Sequence, residues 1–168
     1  MKLKKLLTIG YEGASVGDFI ATLTAAHVTT LLDIREFAGS RRKGFAKTAL
    51  RQNLAGAAIG YRHEPALGSP RDIRNQLRED GRHDRFFRDF ERYLATQQPL
   101  LHQLAGELTG NVALLCYERD FRECHRKSVA AALGLITGLT PKHLGVQHDP
   151  RQARAHARAH PGQSLSAA

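Results

Sequence analysis

The sequence predicts an α/β fold, a three-layer sandwich with a mainly parallel central sheet. Three observations carry this. Short apolar runs alternate with amphipathic helical stretches along the chain. Glycines and charged residues collect in the loops that follow those runs. The 168 residues, 42% of them hydrophobic, suffice for one core and not for two full domains. One domain is therefore expected over 1–148. The basic tail, 149–168, lacks an apolar face and is expected to be disordered or a frayed helix.

In order, Leu6-Leu7-Thr8-Ile9 reads as a strand ended by Gly10, after which Phe19, Ile20, Leu23 and Ala26 recur at helical spacing. Ser15 and Asp18 predict that helix's start, because a hydroxyl and a carboxylate three residues apart can satisfy its orphan amides. Residues 29–34 form the second strand, a basic loop follows, and a helix spans about 47–58. Residues 59–63 make a third strand. Two amphipathic stretches come next, one at 73–77 and one whose stripe of Phe86, Phe87, Phe90, Tyr93 and Leu94 reads as core. The run 112–116 is a buried strand, a helix passes through Ser128, Val129, Ala132 and Leu133, and a short strand falls near 143–147.

Ligands of parallel sheets bind beyond the carboxyl ends of the strands. That edge should gather Gly10 to Gly13, Asp33 with Arg35, His63, and Cys116 with Glu118.

Lys and Arg number 25 against 16 Asp and Glu, a formal charge of +9 that favours anionic partners. Six cations and one acid lie in 35–51, whereas 71–92 is nearly balanced and reads as a solvated helical face. The apolar runs fall far short of the roughly 20 residues that span a bilayer, and the first ten residues lack a signal-peptide apolar region. The two cysteines are too few for a disulfide framework. A cytoplasmic protein with free thiols and no membrane partner is expected.

The strongest chemical constellation runs from Cys116 through Glu118 to Cys124-His125-Arg126. Asp120 and Glu123 form a plausible capping pair that sets Cys124 in or near a first helical turn, where the helix dipole and two cationic neighbours favour the thiolate. The plainer reading makes Cys124 a small buried hydrophobe, His125 partly exposed and Arg126 the partner of a carboxylate. Seven residues separate Cys116 from Cys124, and the usual zinc pairs at two to four residues are missing, so no metal site is predicted. In the second constellation, Asp33, Arg35, Ser40 and Arg41 lie on a glycine-containing loop suited to phosphate or carboxylate, or simply solvated. In the third, Gly10-Tyr11-Glu12-Gly13 leads into a helix and can cradle an anion, without a full dinucleotide or P-loop fingerprint. Glu12 and Glu118 are the candidate proton-handling groups.

Together, 8–13, Asp33-Ile34-Arg35 with Ser40-Arg41 and Gly44-Phe45, Leu67-Gly68, and Cys116-Tyr117-Glu118 ahead of Cys124-His125-Arg126 resemble the DUF488 family, small α/β proteins of unknown function. The resemblance spans roughly residues 6–147. Tyr117 stands where relatives often have a small residue, and Ser69-Pro70 follows Leu67-Gly68 where many have a further glycine. The resemblance implies an enzyme-like site and supplies no reaction. The leading expectation is an enzyme acting on a small anionic compound, a nucleotide or another phosphorylated molecule. Arg35, Arg41 and Arg126 would bind the anion beside Gly10, Tyr11, Asp33 and Ser40. Glu118 or Glu12 would move protons, Cys124 would be nucleophile or site-shaping thiol, and His125 would orient or exchange a proton. No cofactor follows from the sequence. The alternative is a non-catalytic module binding nucleic acid or a nucleotide through 35–51, although no helix-turn-helix, zinc-finger or RNP signature is present.

Overall fold

Side chains pointing to both sides of the central strands are apolar, so the sheet must be covered on both faces. In the computed structural model, which describes residues 2–148, that is how it is built. Strands β1 (Leu3–Gly10), β2 (Thr30–Asp33), β3 (Gly60–His63), β4 (Gly110–Cys116) and β5 (Lys142–Leu144) form one sheet in the order β3-β2-β4-β1-β5, with every pairing parallel. Helices α1 (Val16–Ala25) and α2 (Lys47–Gly56) cover one face, where Phe19, Leu23, Leu50 and Leu54 meet Leu7, Ile9, Leu31 and Leu115. On the other face lie α4 (His83–Ala95), α5 (Gln98–Glu107) and α6 (Arg126–Thr137). There Phe90, Leu94, Leu101, Leu104 and Val129 pack on Leu6, Leu32 and Leu114. Helix α3 (Arg71–Asp80) lies against α4 and buries none of its residues fully.

The expected cap of α1 forms, with the Asp18 amide donating to Ser15 Oγ at 3.1 Å. Helix α5 escaped the sequence reading. It is weakly amphipathic, has Pro99 in its first turn, and owes its place to the burial of Leu101 and Leu104. The last strand is shorter than expected and lies slightly earlier, because its pairing with β1 ends at Ile9 opposite Leu144. No helix among the described residues is long and apolar enough to cross a membrane. The expectation for 149–168 lies outside the described residues.

Two features of this topology place the site. Strand β1 leads into α1 on one face while β4 leads into α6 on the other, which opens a crevice at their carboxyl ends. The register then sets Gly10 beside Cys116 and Asp33 beside Leu115.

Candidate functional site

The loops after β1 and β4 are bound tightly together. A Cβ on Gly10 would lie 1.8 Å from the Glu118 carbonyl oxygen, so only glycine lets the backbones approach this closely. The Glu12 amide donates to the Tyr117 carbonyl at 2.9 Å, and the Glu12 carboxylate accepts from the Arg119 amide at 2.9 Å. Beneath them lies Arg126, 1% exposed, whose guanidinium donates to the Glu118 carbonyl, to the Arg119 carbonyl at 3.1 Å and to Thr8 Oγ1 at 3.3 Å. Glu12 and Arg126, expected on the substrate, therefore hold the Glu118 loop in place. Arg126 does not line the cleft, because its donors are spent on backbone and on Thr8.

A second network forms at the end of β2. Arg35 makes a two-pronged pair with Asp33, Nε to Oδ1 at 2.8 Å and Nη2 to Oδ2 at 2.6 Å. Its Nη1 donates to the Tyr11 hydroxyl at 3.1 Å and the Phe45 carbonyl at 3.0 Å. Tyr61 donates to Asp33 Oδ2 at 2.6 Å, and His63 Nε2 meets the Arg35 carbonyl at 2.8 Å. Burial opposes the Arg35 charge, yet Asp33 and Tyr11 hold the guanidinium above its ordinary affinity for the proton. Burial, followed by the bond to Asp33, pushes the Tyr61 phenol well above its usual range. Arg35 lines the cleft with most of its donors already engaged. The Ser40 hydroxyl accepts from Tyr11 at 3.3 Å and from the Arg42 amide at 3.2 Å, while Arg41 is exposed and outside the cleft.

Between these networks sits a cluster of Cys116, Glu118, Cys124 and His125, whose potential ligand atoms all lie within 4.8 Å of one another. Cys116 Sγ donates to Glu118 Oε2 at 3.1 Å and lies 3.6 Å from His125 Nδ1. The other ring nitrogen, Nε2, lies 3.2 Å from the Ile34 carbonyl, an acceptor that fixes the proton on Nε2 and leaves the Nδ1 lone pair facing the thiols. Burial favours a neutral Glu118, but donation from Cys124 and Cys116 holds its carboxyl below the ordinary range. Burial likewise opposes a charged His125, and Cys124 with Glu118 outweighs it, so the imidazole sits above its ordinary value.

The thiolate expected at Cys124 does not fit this geometry. Asp120 caps a short 3-10 turn at Phe121–Glu123, accepting from the Arg122 amide at 2.9 Å, and so does not start α6. Cys124 is extended and precedes His125, the N-cap residue of α6, outside the first helical turn. Burial, reinforced by Cys116, pushes the Cys124 thiol well above its ordinary pKa. The positive helix end loses to desolvation here.

A cleft of about 490 Å³ opens over the cluster. Cys116, Glu118 and His125 form its floor, Tyr11 and Arg35 one wall, and Ser69, Arg74, Leu77 and Arg78 another. Phe37 and Tyr117, the first 77% and the second 44% exposed, also line it. The wall from α3 was hidden in the sequence, where 71–92 reads as a solvated face. The one local signal was Leu67-Gly68. A Cβ on Gly68 would lie 2.2 Å from the Glu36 amide, so this segment packs directly on the loop after β2. Arg74 pairs with Glu36 at 2.6 Å and donates to the Ser69 carbonyl. Ser69 Oγ is the one buried side-chain N or O atom among the described residues with no hydrogen-bond partner.

Comparison with curated proteins finds no match, and neither does comparison with solved structures. Residues 15–133, which run from the start of α1 into α6 and include every residue of the Cys116 cluster, match the family described as Domain of unknown function DUF488, and the chain belongs to that family.

Proposed function

We propose that the protein is an enzyme acting on a small anionic compound of nucleotide size, bound in the cleft at the carboxyl edge of the sheet. The orphaned Ser69 hydroxyl carries this reading. It is 1% exposed, lines the cleft and has no hydrogen-bond partner among the described residues, a cost that a ligand's polar group removes. Helix α3 begins two residues later and brings its positive end near that hydroxyl. Arg78, in the same wall, has no acidic partner within ion-pair distance among the described residues and offers its charge to an anionic group. Phe37 and Tyr117 offer exposed aromatic surface to a flat ring, and the cleft volume falls in the range of small-molecule sites. The Cys116–Glu118–His125 floor, with both Cys116 and His125 buried, is the reactive centre, since it concentrates thiol, carboxylate and imidazole where a bound compound would meet them.

Thermal stabilisation of the purified protein by a panel of nucleotides and sugar phosphates, followed by turnover assays on the compounds that stabilise, tests the reading. Ser69→Ala, Arg78→Gln and Phe37→Ala should each weaken the stabilising compound about 5- to 100-fold. Phe37→Ala should leave the unliganded melting temperature unchanged, because the ring is 77% exposed. Binding only to long oligonucleotides, abolished by salt and by charge removal at Arg41 and Lys43, would replace the enzyme by a nucleic-acid module.

A further inference from the structure

We infer that Cys116, Cys124 and His125, with Glu118, form a binding site for a divalent transition metal, zinc by preference. This deepens the proposed reading by naming the cofactor of the same centre, and its test needs no substrate.

The donor set is the first argument. Two thiols and an imidazole suit zinc, and a carboxylate completes four ligands or yields its place to water. Zinc bonds of about 2.3 Å to sulfur and about 2.0–2.1 Å to nitrogen or oxygen set tetrahedral ligand atoms about 3.3–3.8 Å apart. The four donor atoms here lie within 4.8 Å of one another, and Cys116 Sγ is already 3.6 Å from His125 Nδ1. Closing on an ion requires side-chain shifts of about 1 Å or less.

The surroundings are the second argument. His125 presents Nδ1 to the thiols because Nε2 donates to the Ile34 carbonyl, the outer bond that commonly orients a metal-bound histidine. The Arg126 amide points at Cys124 Sγ at 3.4 Å, a donor suited to a metal thiolate. The Arg126 guanidinium is a buried cation with no carboxylate within ion-pair distance among the described residues. The guanidinium already feels the Asp120 carboxylate, and two thiolates and Glu118 around a dication would add one negative charge to its surroundings. As the ion enters, two thiol protons leave to solvent and the Sγ lone pairs bind the metal. Cys116, Glu118 and His125 reach the cleft, so the ion has a route in and an open side toward a ligand.

The experiment is a titration of the reduced, chelator-treated protein with Co²⁺ and then Zn²⁺. One equivalent of cobalt should bind, with a thiolate-to-cobalt charge-transfer band in the near ultraviolet and tetrahedral bands in the visible. That uptake should release about two protons at a pH below the thiol range, and one equivalent of zinc should then displace the cobalt with no further proton release. Cys124→Ser should weaken the charge-transfer band and lower affinity at least about 100-fold. The wild-type spectrum decides the matter even if that variant fails to fold. Absence of cobalt uptake by the reduced protein overturns the inference, as does uptake without a thiolate band, which would place the ion on surface histidines, or a spectrum unaltered in folded Cys124→Ser, which would remove Cys124 as a ligand. Loss of the metal site would leave ligand-induced thermal shifts intact, and loss of those shifts would leave the cobalt spectrum intact, so the two readings fail separately.

Discussion

Asp33→Asn tests the network that shapes one wall of the cleft. The side chain keeps its size and loses its charge, so no cavity forms. Asp33 is 0% and Arg35 6% exposed, and the two are joined by bonds of 2.8 and 2.6 Å. Removing one partner of a buried pair strands the other charge and costs about 3–5 kcal/mol. Arg35 retains the Tyr11 hydroxyl and the Phe45 carbonyl and borders the cleft, so the lower end, about 3 kcal/mol, applies. For a domain of this size each kcal/mol moves the melting temperature by about 2–4 °C, which predicts a fall of about 6–12 °C. Thermal unfolding followed by circular dichroism at neutral pH, with urea unfolding as a second measure, reads the effect. Arg35→Lys should fall by a similar amount, because a single ammonium cannot meet Asp33, Tyr11 and Phe45 together. A melting temperature within about 2 °C of wild type in both variants would show that the pair is not what holds this loop.

Gly10→Ala should destabilise by about 3 kcal/mol in urea unfolding, since the added Cβ meets the Glu118 carbonyl at 1.8 Å and neither backbone can yield without displacing Arg126. Cys124, 1% exposed, should react with iodoacetamide at least about tenfold more slowly than an open thiol and become reactive on unfolding, read by residue-resolved mass spectrometry. Rapid labelling of the native protein would restore the nucleophile expected from the sequence. His143 should make stability fall below pH 6.5: burial and then Arg126 lower its proton affinity in the fold, while it lies 2.7 Å from Thr8 Oγ1 and stacks on Phe121 at 3.6 Å. The unfolded chain therefore binds the proton more readily, so stability is full above that pH and lost as pH falls through it. Melting temperatures from pH 7.5 to 5.5 should drop less steeply in His143→Gln than in wild type, and equal slopes would remove His143 as the cause.

Much of the architecture was legible in the residues alone. Strand runs such as Leu6-Leu7-Thr8-Ile9 and the stripe of Phe86, Phe90 and Leu94 announce their burial, because periodicity is a local property of the chain. From those alternating elements the parallel sheet follows, and with it the gathering of Gly10, Asp33 and Cys116 at one edge. The roles of the residues at that edge were not legible. Whether Arg126 meets a ligand or the Glu118 carbonyl depends on how closely β1 and β4 approach, which Gly10 permits and pairing decides. Cys116 and Cys124 are too far apart in sequence to suggest a shared ion, yet the turn at Phe121–Glu123 folds them back within 4.8 Å. The wall from α3 reads as solvated because its helix buries no residue fully, and its facing of the cleft is set by Gly68 packing on Glu36. Helix position alone suggested a Cys124 thiolate, but only the folded chain shows the desolvation that outweighs it. Charge state, like ligation, depends on distances across the chain, and those exist only once it has folded.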